Sequence, residues 1–295
     1  MNDQYPIRVR FWGTRGSIPT PGPKTVRYGG NTSCVEVRIG NDQVIIFDAG
    51  SGIRELGDHL VKDGERIDGH IFLTHFHWDH IQGLPFFAPA FMPEHHFTIY
   101  GCESNEASLS KLLSAQMESI YFPVPLRRFG AAISFRSLDE GQYSIEGFRV
   151  KTLYLNHPGK TLGYLIAYKN RTIGYLTDNE FGVDFSQTRP FGAAAPTFVR
   201  KIIDAIHGAD LIIIDAQYTK QEYLQKRGWG HSQYEDVIDI MVAAEVKQFA
   251  LFHHDPSHSD VEMDAIVAHC RDITAARTDT IFCFGAQEGQ EIQID

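Results

Sequence analysis

One short motif constrains the fold of this chain more than any other feature of its sequence. The motif is HFHWDH at residues 75–80, and it directly follows the apolar run Gly69–Leu73, which is typical of a buried strand. Side chains two apart in an extended chain point the same way, so His75 and His77 can converge on one ion. Asp79 and His80 would begin the next element and face a second ion. Imidazole nitrogens and carboxylate oxygens suit Zn²⁺, Mn²⁺ or Fe²⁺, so this pattern favours a metal site over a loop of solvated histidines.

Three further candidate ligands also follow apolar runs that read as core strands. They are His157 after Val150–Leu155, Asp178 after Ile173–Leu176, and His253 after Phe249–Phe252. Side chains held at strand ends are well fixed, as metal ligands must be. Taken alone, His157 and Asp178 could be turn residues, but beside the first motif the ligand interpretation is favoured. His254 is the alternative to His253 if the register differs by one residue.

The composition excludes several classes of protein. The 295 residues carry a net charge of −10, which argues against a basic surface for a large nucleic acid, although a metal pair could still attract a small phosphate ester. No apolar run approaches the ~18 residues of a membrane span, and the N-terminus lacks the features of a signal peptide. The four cysteines, none in CxxC spacing, are interpreted as reduced core residues, with a disulfide left open. We therefore expect a cytoplasmic protein with no membrane and no stable nucleic-acid partner.

Strand and helix patterns occur throughout the chain and predict a single α/β domain over residues 1–295. A hairpin is expected around the turn Gly40-Asn41-Asp42. The predicted helices are Ile53–Val61, Asn105–Ser119, Thr197–His207, Ser232–Glu245 and Val261–Ala276. The predicted strands are Ile7–Trp12, Cys34–Ile39, Gln43–Phe47, Gly69–Leu73, Phe97–Tyr100, Ala132–Arg136, Phe148–Tyr154, Leu162–Ala167, Thr172–Leu176, Leu211–Ile214, Gln248–Phe252 and, as the last strand, Thr280–Phe284.

The order of the candidate ligands resembles that of a known family. HxHxDH followed by His, Asp and His is similar to the ligand set of the metallo-β-lactamase superfamily, in particular the branch that contains ribonuclease Z and small cyclic-phosphate phosphodiesterases. The likeness covers nearly the whole chain, including Phe11–Ser17, Gly29–Cys34 and Ile46–Gly52. It implies a four-layer αββα sandwich with metals at one edge. It further implies that one metal is held by His75, His77 and His157 and the other by Asp79, His80 and His253, with Asp178 bridging both.

Four details place the chain within this family. Asp178, where several penicillin-destroying members use cysteine, disfavours that branch, and His77, where redox di-iron members usually carry glutamate, disfavours electron transfer. Gly230-His231-Ser232 resembles a histidine motif of the phosphodiesterase branch, which implies a catalytic His231; an exposed loop histidine is the alternative. The interval from His157 to Asp178 has room only for a short hairpin, whereas ribonuclease Z usually carries there a long arm that grips transfer RNA.

The predicted function is that of a dinuclear metal-dependent phosphodiesterase for a small substrate, such as a cyclic nucleotide or another cyclic phosphate. Two divalent ions, Zn²⁺ or Mn²⁺ with Fe²⁺ also considered, would share a hydroxide that attacks phosphorus. His231 would protonate the leaving group, while Asp79 and Asp178 act as ligands that orient the nucleophile. The alternatives on the same metals are a nuclease or a hydrolase of esters, thioesters or lactones; a metal-binding sensor without turnover is the non-enzymatic alternative. A homodimer is left open.

Expectations for other residues are weaker. Asp48 could fix the tautomer of a ligand histidine or be a turn carboxylate, and Ser232 is a candidate N-cap for its helix. Arg15 could meet a phosphate or form a structural salt bridge, and Asn31 could be a polar contact of the site or, as favoured here, a turn residue. Phe76 and Trp78 are expected to pack and hold the ligand loop. Four histidines are expected at the surface: His95, His96, His207 and His258.

Overall fold

The computed structural model describes residues 7–40, 43–103, 107–182 and 196–295, which form two compact units. The first unit lies within residues 1–139 and 287–295, and the second comprises residues 140–286. Each contains one seven-stranded mixed sheet with associated helices. The single domain predicted for residues 1–295 stays a prediction.

The first unit has a sheet that is antiparallel on one side and parallel on the other. Its helices are α1 (Ile53–Asp63), α2 (Trp78–Ile81) and α3 (Leu109–Ala115), with short 3₁₀ helices at Leu84–Phe86, Ala88–Phe91 and Leu126–Arg128. Its strands are β1 (Ile7–Gly13), β2 (Cys34–Ile39), β3 (Gln43–Phe47), β4 (Asp68–Phe72), β5 (His96–Gly101), β6 (Ala132–Ser137) and β14 (Glu291–Ile294). The order is β14-β1-β2-β3-β4-β5-β6, and β3 to β6 are parallel. The carboxyl ends of β3 and β4 therefore share one edge.

An apolar cluster fixes the ligand loop of the first unit. Helix α1 buries Ile53, Leu56 and Leu60 at helical spacing in this cluster. Leu73 and Ile81, which flank the HFHWDH motif, belong to the same cluster, so the loop is anchored at both ends. Each such side chain contributes about 1.5–3 kcal/mol on burial, enough to keep a short polar loop in place.

The sheet of the second unit also combines antiparallel and parallel strands. Its helices are α4 (Thr197–Ile206), α5 (Lys220–Lys226), α6 (Tyr234–Ala243) and α7 (Asp260–Arg277). Its strands are β7 (Gly141–Ile145), β8 (Phe148–Tyr154), β9 (Leu162–Tyr168), β10 (Arg171–Leu176), β11 (Leu211–Asp215), β12 (Gln248–Phe252) and β13 (Phe282–Gly285). The order is β13-β12-β11-β10-β9-β8-β7. β8 and β10 are both antiparallel to β9, and β10 to β13 are parallel, so β8, β10, β11 and β12 all end at one edge.

Most predicted elements are confirmed, and the misses are short. β2, β3, β8 and β12 have the predicted bounds. Strands β7 and β14 and helix α5 were not predicted, and Thr280–Phe284 as the last strand is wrong because β14 follows and pairs with β1. Asn41 and Asp42 of the predicted turn, and Asn105 at the predicted start of α3, lie outside the described residues. None of the described helices is both long and apolar enough to cross a bilayer.

Candidate active site

The ligand loop of the first unit is organised by Asp48, the residue after β3. Its carboxylate accepts the Thr74 backbone N–H at 2.8 Å and lies 2.7 Å from Nδ1 of His80. Nδ1 of His75 is 3.0 Å from the Thr74 hydroxyl. With both Nδ1 atoms engaged in this way, Nε2 is the ring nitrogen through which each histidine would ligate a metal. The expectation that Asp48 fixes the tautomer of a ligand histidine is therefore supported by its contact with His80.

The four ligand-type side chains of the HFHWDH motif converge within the first unit. The His75 ring centroid lies 4.4 Å from that of His77 and 4.3 Å from that of His80. Asp79 Oδ2 is 3.3 Å from His80 Nε2 and accepts the Ser17 backbone N–H at 2.7 Å. His75, Asp79 and His80 are buried, whereas His77 is exposed. The four side chains of the motif therefore lie close to one another.

In the second unit, Asp178 lies between two of the predicted histidines. Its Oδ2 is 3.5 Å from Nε2 of His157, and its Oδ1 is 3.2 Å from Nε2 of His253. The other ring nitrogen of His157, Nδ1, donates to the Gly230 carbonyl at 3.0 Å. Each carboxylate oxygen of Asp178 therefore faces a different histidine.

A second acid–histidine pair stands beside this group. Asp215, fully buried at the end of β11, lies 2.6 Å from Nδ1 of His231 and accepts the Ser232 backbone N–H at 3.1 Å. The ring of His231 stacks on that of His253 with centroids 5.0 Å apart. Asp178, Asp215, His231 and His253 each offer an atom within 4.8 Å of the others. The alternative of an exposed loop histidine is wrong for His231, which is buried.

Asp215 was missed by the sequence analysis, although a signal was available. It follows the apolar run Leu211–Ile214, just as Asp178 and His253 follow theirs. An ionisable residue at the end of a buried strand, on an edge that collects other ligands, is a candidate for the same site.

The two adjacent histidines, His253 and His254, face different partners. Nε2 of His254 donates to the Ala286 carbonyl at 2.9 Å, whereas His253 faces Asp178. Three residues at the ends of strands have left-handed backbones: Asp48 (φ 58°), Asp178 (φ 58°) and His253 (φ 61°). This conformation costs a non-glycine residue about 1–2 kcal/mol, and Asp and His are among the residues that adopt it most readily. The turn conformation aims these side chains away from the direction they would take in a continued strand.

Several weaker expectations are corrected by the structure. Arg15 is fully buried and donates to the Gly29 carbonyl at 2.9 Å, so it is not placed to meet a phosphate from solvent. Ser232 is not the N-cap of α6, which is Gln233; its hydroxyl donates to the Asn179 carbonyl instead. Phe76 packs on the apolar cluster as expected, but Trp78 is 79% exposed.

Two of the four histidines expected at the surface are buried. His95 accepts the Ile67 backbone N–H, and His258 pairs with Glu222 at 2.8 Å.

Asn31 is more than a turn residue, because its backbone and side-chain N–H groups both donate to Glu288.

The donor set fits a divalent transition metal. Imidazole nitrogens and carboxylate oxygens dominate both groups, and the second ring nitrogens of His80 and His157 are held by a carboxylate and a carbonyl, as in most metal-binding histidines. A fold that collects such groups at the carboxyl ends of parallel strands, with an acid–histidine pair beside them, defines a metal-dependent hydrolase.

Comparison with known proteins gives the family. A family model described as a beta-lactamase superfamily domain matches residues 43–254, and the chain belongs to this family. A relative named ribonuclease Z from Staphylococcus carnosus is 24% identical over 302 residues, which cover 89% of this chain and 93% of the relative.

Solved structures show the same fold. The metallo-beta-lactamase fold protein YhfI from Bacillus subtilis is 17% identical with a TM-score of 0.69, covering 98% of this chain and 100% of that one. A diphosphatase from the PhnP family is also 17% identical, with a TM-score of 0.66 and 98% coverage of both chains. The predicted α/β fold, the αββα sandwich of the metallo-β-lactamase superfamily, is confirmed.

Proposed function

We propose that this protein hydrolyses a small phosphodiester, in the first place a cyclic nucleotide or another cyclic phosphate, with two divalent metal ions. The observation that carries the proposal is the Asp215–His231 pair, which stands next to Asp178 and His253 at one sheet edge. A metal site alone would serve a sensor equally well, but a carboxylate-oriented histidine beside the ligands supplies the proton donor that hydrolysis of an ester needs.

The proposed ligand assignment follows the order of the motifs along the chain. His75, His77 and His157 would hold one metal, Asp79, His80 and His253 the other, and Asp178 would bridge them. The support from the structure is local: the first four ligand groups converge in the first unit, and Asp178 presents one oxygen to each of two histidines in the second. Zn²⁺ or Mn²⁺ is the expected metal, with Fe²⁺ as a third candidate.

The chain's own residues would handle protons and orientation. When bound, the metals lower the pKa of water and offset phosphate charge. Asp215 holds Nδ1–H of His231, so the proton that moves is the one at Nε2 of His231, which goes to the leaving oxygen. Ser17 and Asp48 fix Asp79 and His80 by hydrogen bonds, which keeps the ligand geometry constant during turnover. Asp79 and Asp178 act as ligands that orient the nucleophile.

The short hairpin between His157 and Asp178 supports a small substrate. Strands β9 and β10 occupy the chain between His157 and Asp178 and pair as a tight antiparallel hairpin, with Tyr168 opposite Arg171. There is no room in this interval for an arm that grips transfer RNA. The net charge of −10 further disfavours a long polyanion.

A ribonuclease is the second candidate, favoured by the relative named ribonuclease Z, which matches along nearly the full length of both chains. The two candidates differ in substrate size and not in chemistry. The nuclease would cut precursor transfer RNA faster than any small diester.

One substrate panel separates the candidates. Metal-reconstituted protein is assayed with bis(p-nitrophenyl) phosphate, cyclic nucleotides, a precursor transfer RNA and a lactone, while elemental analysis counts the metals. We expect roughly two metals per chain and the highest kcat/KM on a small cyclic diester. Asp178→Ala is the control for metal dependence. Efficient cleavage of transfer RNA, beyond the rate on every small diester, would favour the nuclease; turnover of the lactone alone would contradict both candidates.

Two wider expectations are proposed with this function. The match of one family model across residues 43–254 supports a single hydrolase domain. None of the four cysteines forms a disulfide, all are buried, and burial raises the pKa of the Cys283 thiol to about 12, so these thiols support the expected reducing cytoplasm. The homodimer stays a prediction.

A further inference from the structure

Glu180, two residues after Asp178, has a buried carboxylate that binds a glycine loop. Its Oε1 accepts the Tyr223 hydroxyl at 2.8 Å and the Gly228 N–H at 2.9 Å. Its Oε2 accepts the Gly230 N–H at 2.9 Å and shares the Gly228 N–H at 3.0 Å. Glu180 is only 5% exposed, so these hydrogen bonds are protected from water. An acceptor group that receives this many hydrogen bonds fixes the loop that donates them.

The loop that Glu180 binds carries two groups of the proposed site. The carbonyl of Gly230 accepts Nδ1–H of His157, and His231 is the next residue. Gly228 and Gly230 have φ values of 86° and 88°, which favour glycine. A Cβ on Gly230 would lie 2.2 Å from Nδ1 of His157, so any residue other than glycine would clash with that ring. The position of this loop therefore sets both histidines at once.

Further hydrogen bonds tie the segment around Glu180 to the same two histidines. The Glu180 N–H donates to the Asn156 carbonyl at 2.9 Å, and the side-chain amide of Asn156 donates to the Glu180 carbonyl at 2.6 Å. The Ser232 hydroxyl donates to the Asn179 carbonyl at 2.5 Å. The residues that flank His157 and His231 are thus connected through one short segment.

We propose that Glu180 is a positioning residue that sets His157 for metal binding and His231 for proton transfer through the loop 228–230. This inference rests on the proposed function for its catalytic consequence. Displacement of a catalytic group by about 1 Å can cost about 10²-fold in rate. Glu180→Ala should accordingly lower kcat by about 10–100-fold on a diester with an alkyl leaving group. The loss should be smaller with p-nitrophenolate, which needs little protonation.

The chemistry of the four hydrogen bonds gives matched variants. In Glu180→Gln, the amide nitrogen can occupy the Oε1 position and donate to the Tyr223 oxygen, while the remaining carbonyl oxygen accepts both glycine N–H groups. Glu180→Gln should therefore retain most of the activity. Tyr223→Phe removes one donor and leaves both glycine bonds, so it should behave as wild type in turnover.

The loop itself provides a readout that needs neither metal nor activity. Arg227 is exposed and immediately precedes Gly228, so limited trypsin digestion reports how firmly the loop is held. Glu180→Ala should be cut after Arg227 about tenfold faster than wild type, whereas Glu180→Gln and Tyr223→Phe should not. If Glu180→Ala does not fold, Glu180→Asp, which withdraws the carboxylate by one methylene, takes its place in both assays.

The outcomes separate this inference from the proposed function. Faster cleavage after Arg227 together with a leaving-group-dependent loss of kcat supports the positioning role. Unchanged cleavage and unchanged alkyl diester turnover in Glu180→Ala or Glu180→Asp overturn it. If the wild-type protein hydrolyses no diester at all, the proposed function fails, and the trypsin assay still tests whether Glu180 holds the loop.

Discussion

The sharpest test of the proposed chemistry is Asp215→Asn. Asparagine has the shape of aspartate, so one oxygen can still accept the Ser232 N–H, but an NH₂ group then faces Nδ1 of His231 across 2.6 Å. Nδ1 must become an acceptor, so His231 loses the doubly protonated form and keeps a proton at Nε2 alone, as a neutral imidazole that is a very weak acid. A hydrogen bond to a charged group contributes about 1.5–3 kcal/mol. At 1.36 kcal/mol per factor of ten, kcat should fall by about 10–150-fold.

The assay compares two leaving groups and counts metals. The loss should be large on an alkyl diester and small on a p-nitrophenyl diester, with the metal content unchanged. Asp239→Asn is the matched control, because Asp239 is also buried in the second unit and pairs with Arg277; it should reduce stability without changing turnover. If Asp215→Asn loses metal in proportion to activity, Asp215 and His231 are ligands and the assignment of His231 as a proton donor is wrong.

The remaining predictions address the metals, the proton donor and pH. His231→Ala should keep its metals and lose turnover by about 10²–10⁴-fold on an alkyl diester; full activity at saturating metal would make it a structural residue. Asp178→Ala should lose metal affinity by elemental analysis, because two cations then lack a shared anion; retention of both metals would argue against a bridge. Burial raises the pKa of Glu288 to about 7, although the hydrogen bonds from Asn31 act to lower it. The folded state therefore favours the protonated form of this carboxyl group. Its contribution to stability is fully present below its unfolded pKa and is lost as pH rises through its folded pKa, by about 3 kcal/mol. Glu288→Gln should therefore flatten the fall in unfolding free energy between pH 5 and pH 8 in denaturant titrations, and an unchanged slope would contradict the assignment.

The parts of the site that the sequence predicted are those with local causes. The HFHWDH motif follows a buried strand, and strand geometry alone brings its ligand groups together. His157, Asp178 and His253 were found because each follows an apolar run, and parallel strands end at a common edge. Periodicity and strand ends are visible in a single sequence, so this part of the site was predictable.

The parts that were missed depend on contacts between distant residues. Asp215 meets His231 across 16 positions, and Glu180 reaches Gly230 across 50. Serine is a common N-cap residue, but the Ser232 hydroxyl donates to the Asn179 carbonyl instead. Strand β14 is only four residues long, too short for its alternation of polar and apolar residues to be distinctive, and its pairing with β1 joins the two ends of the chain. In each case the local sequence allows several partners or conformations, and tertiary packing determines which one forms.

The left-handed backbone at Asp48, Asp178 and His253 limits how this protein can diverge. Glycine and asparagine enter that conformation at little or no cost, whereas valine, isoleucine and threonine are excluded by their branched Cβ. A descendant that abandons catalysis should therefore carry glycine or asparagine at these positions, and it should gain stability in the metal-free state as the strain is released. Loss of these three side chains would thus be favoured by folding alone, and only the proposed function would oppose it.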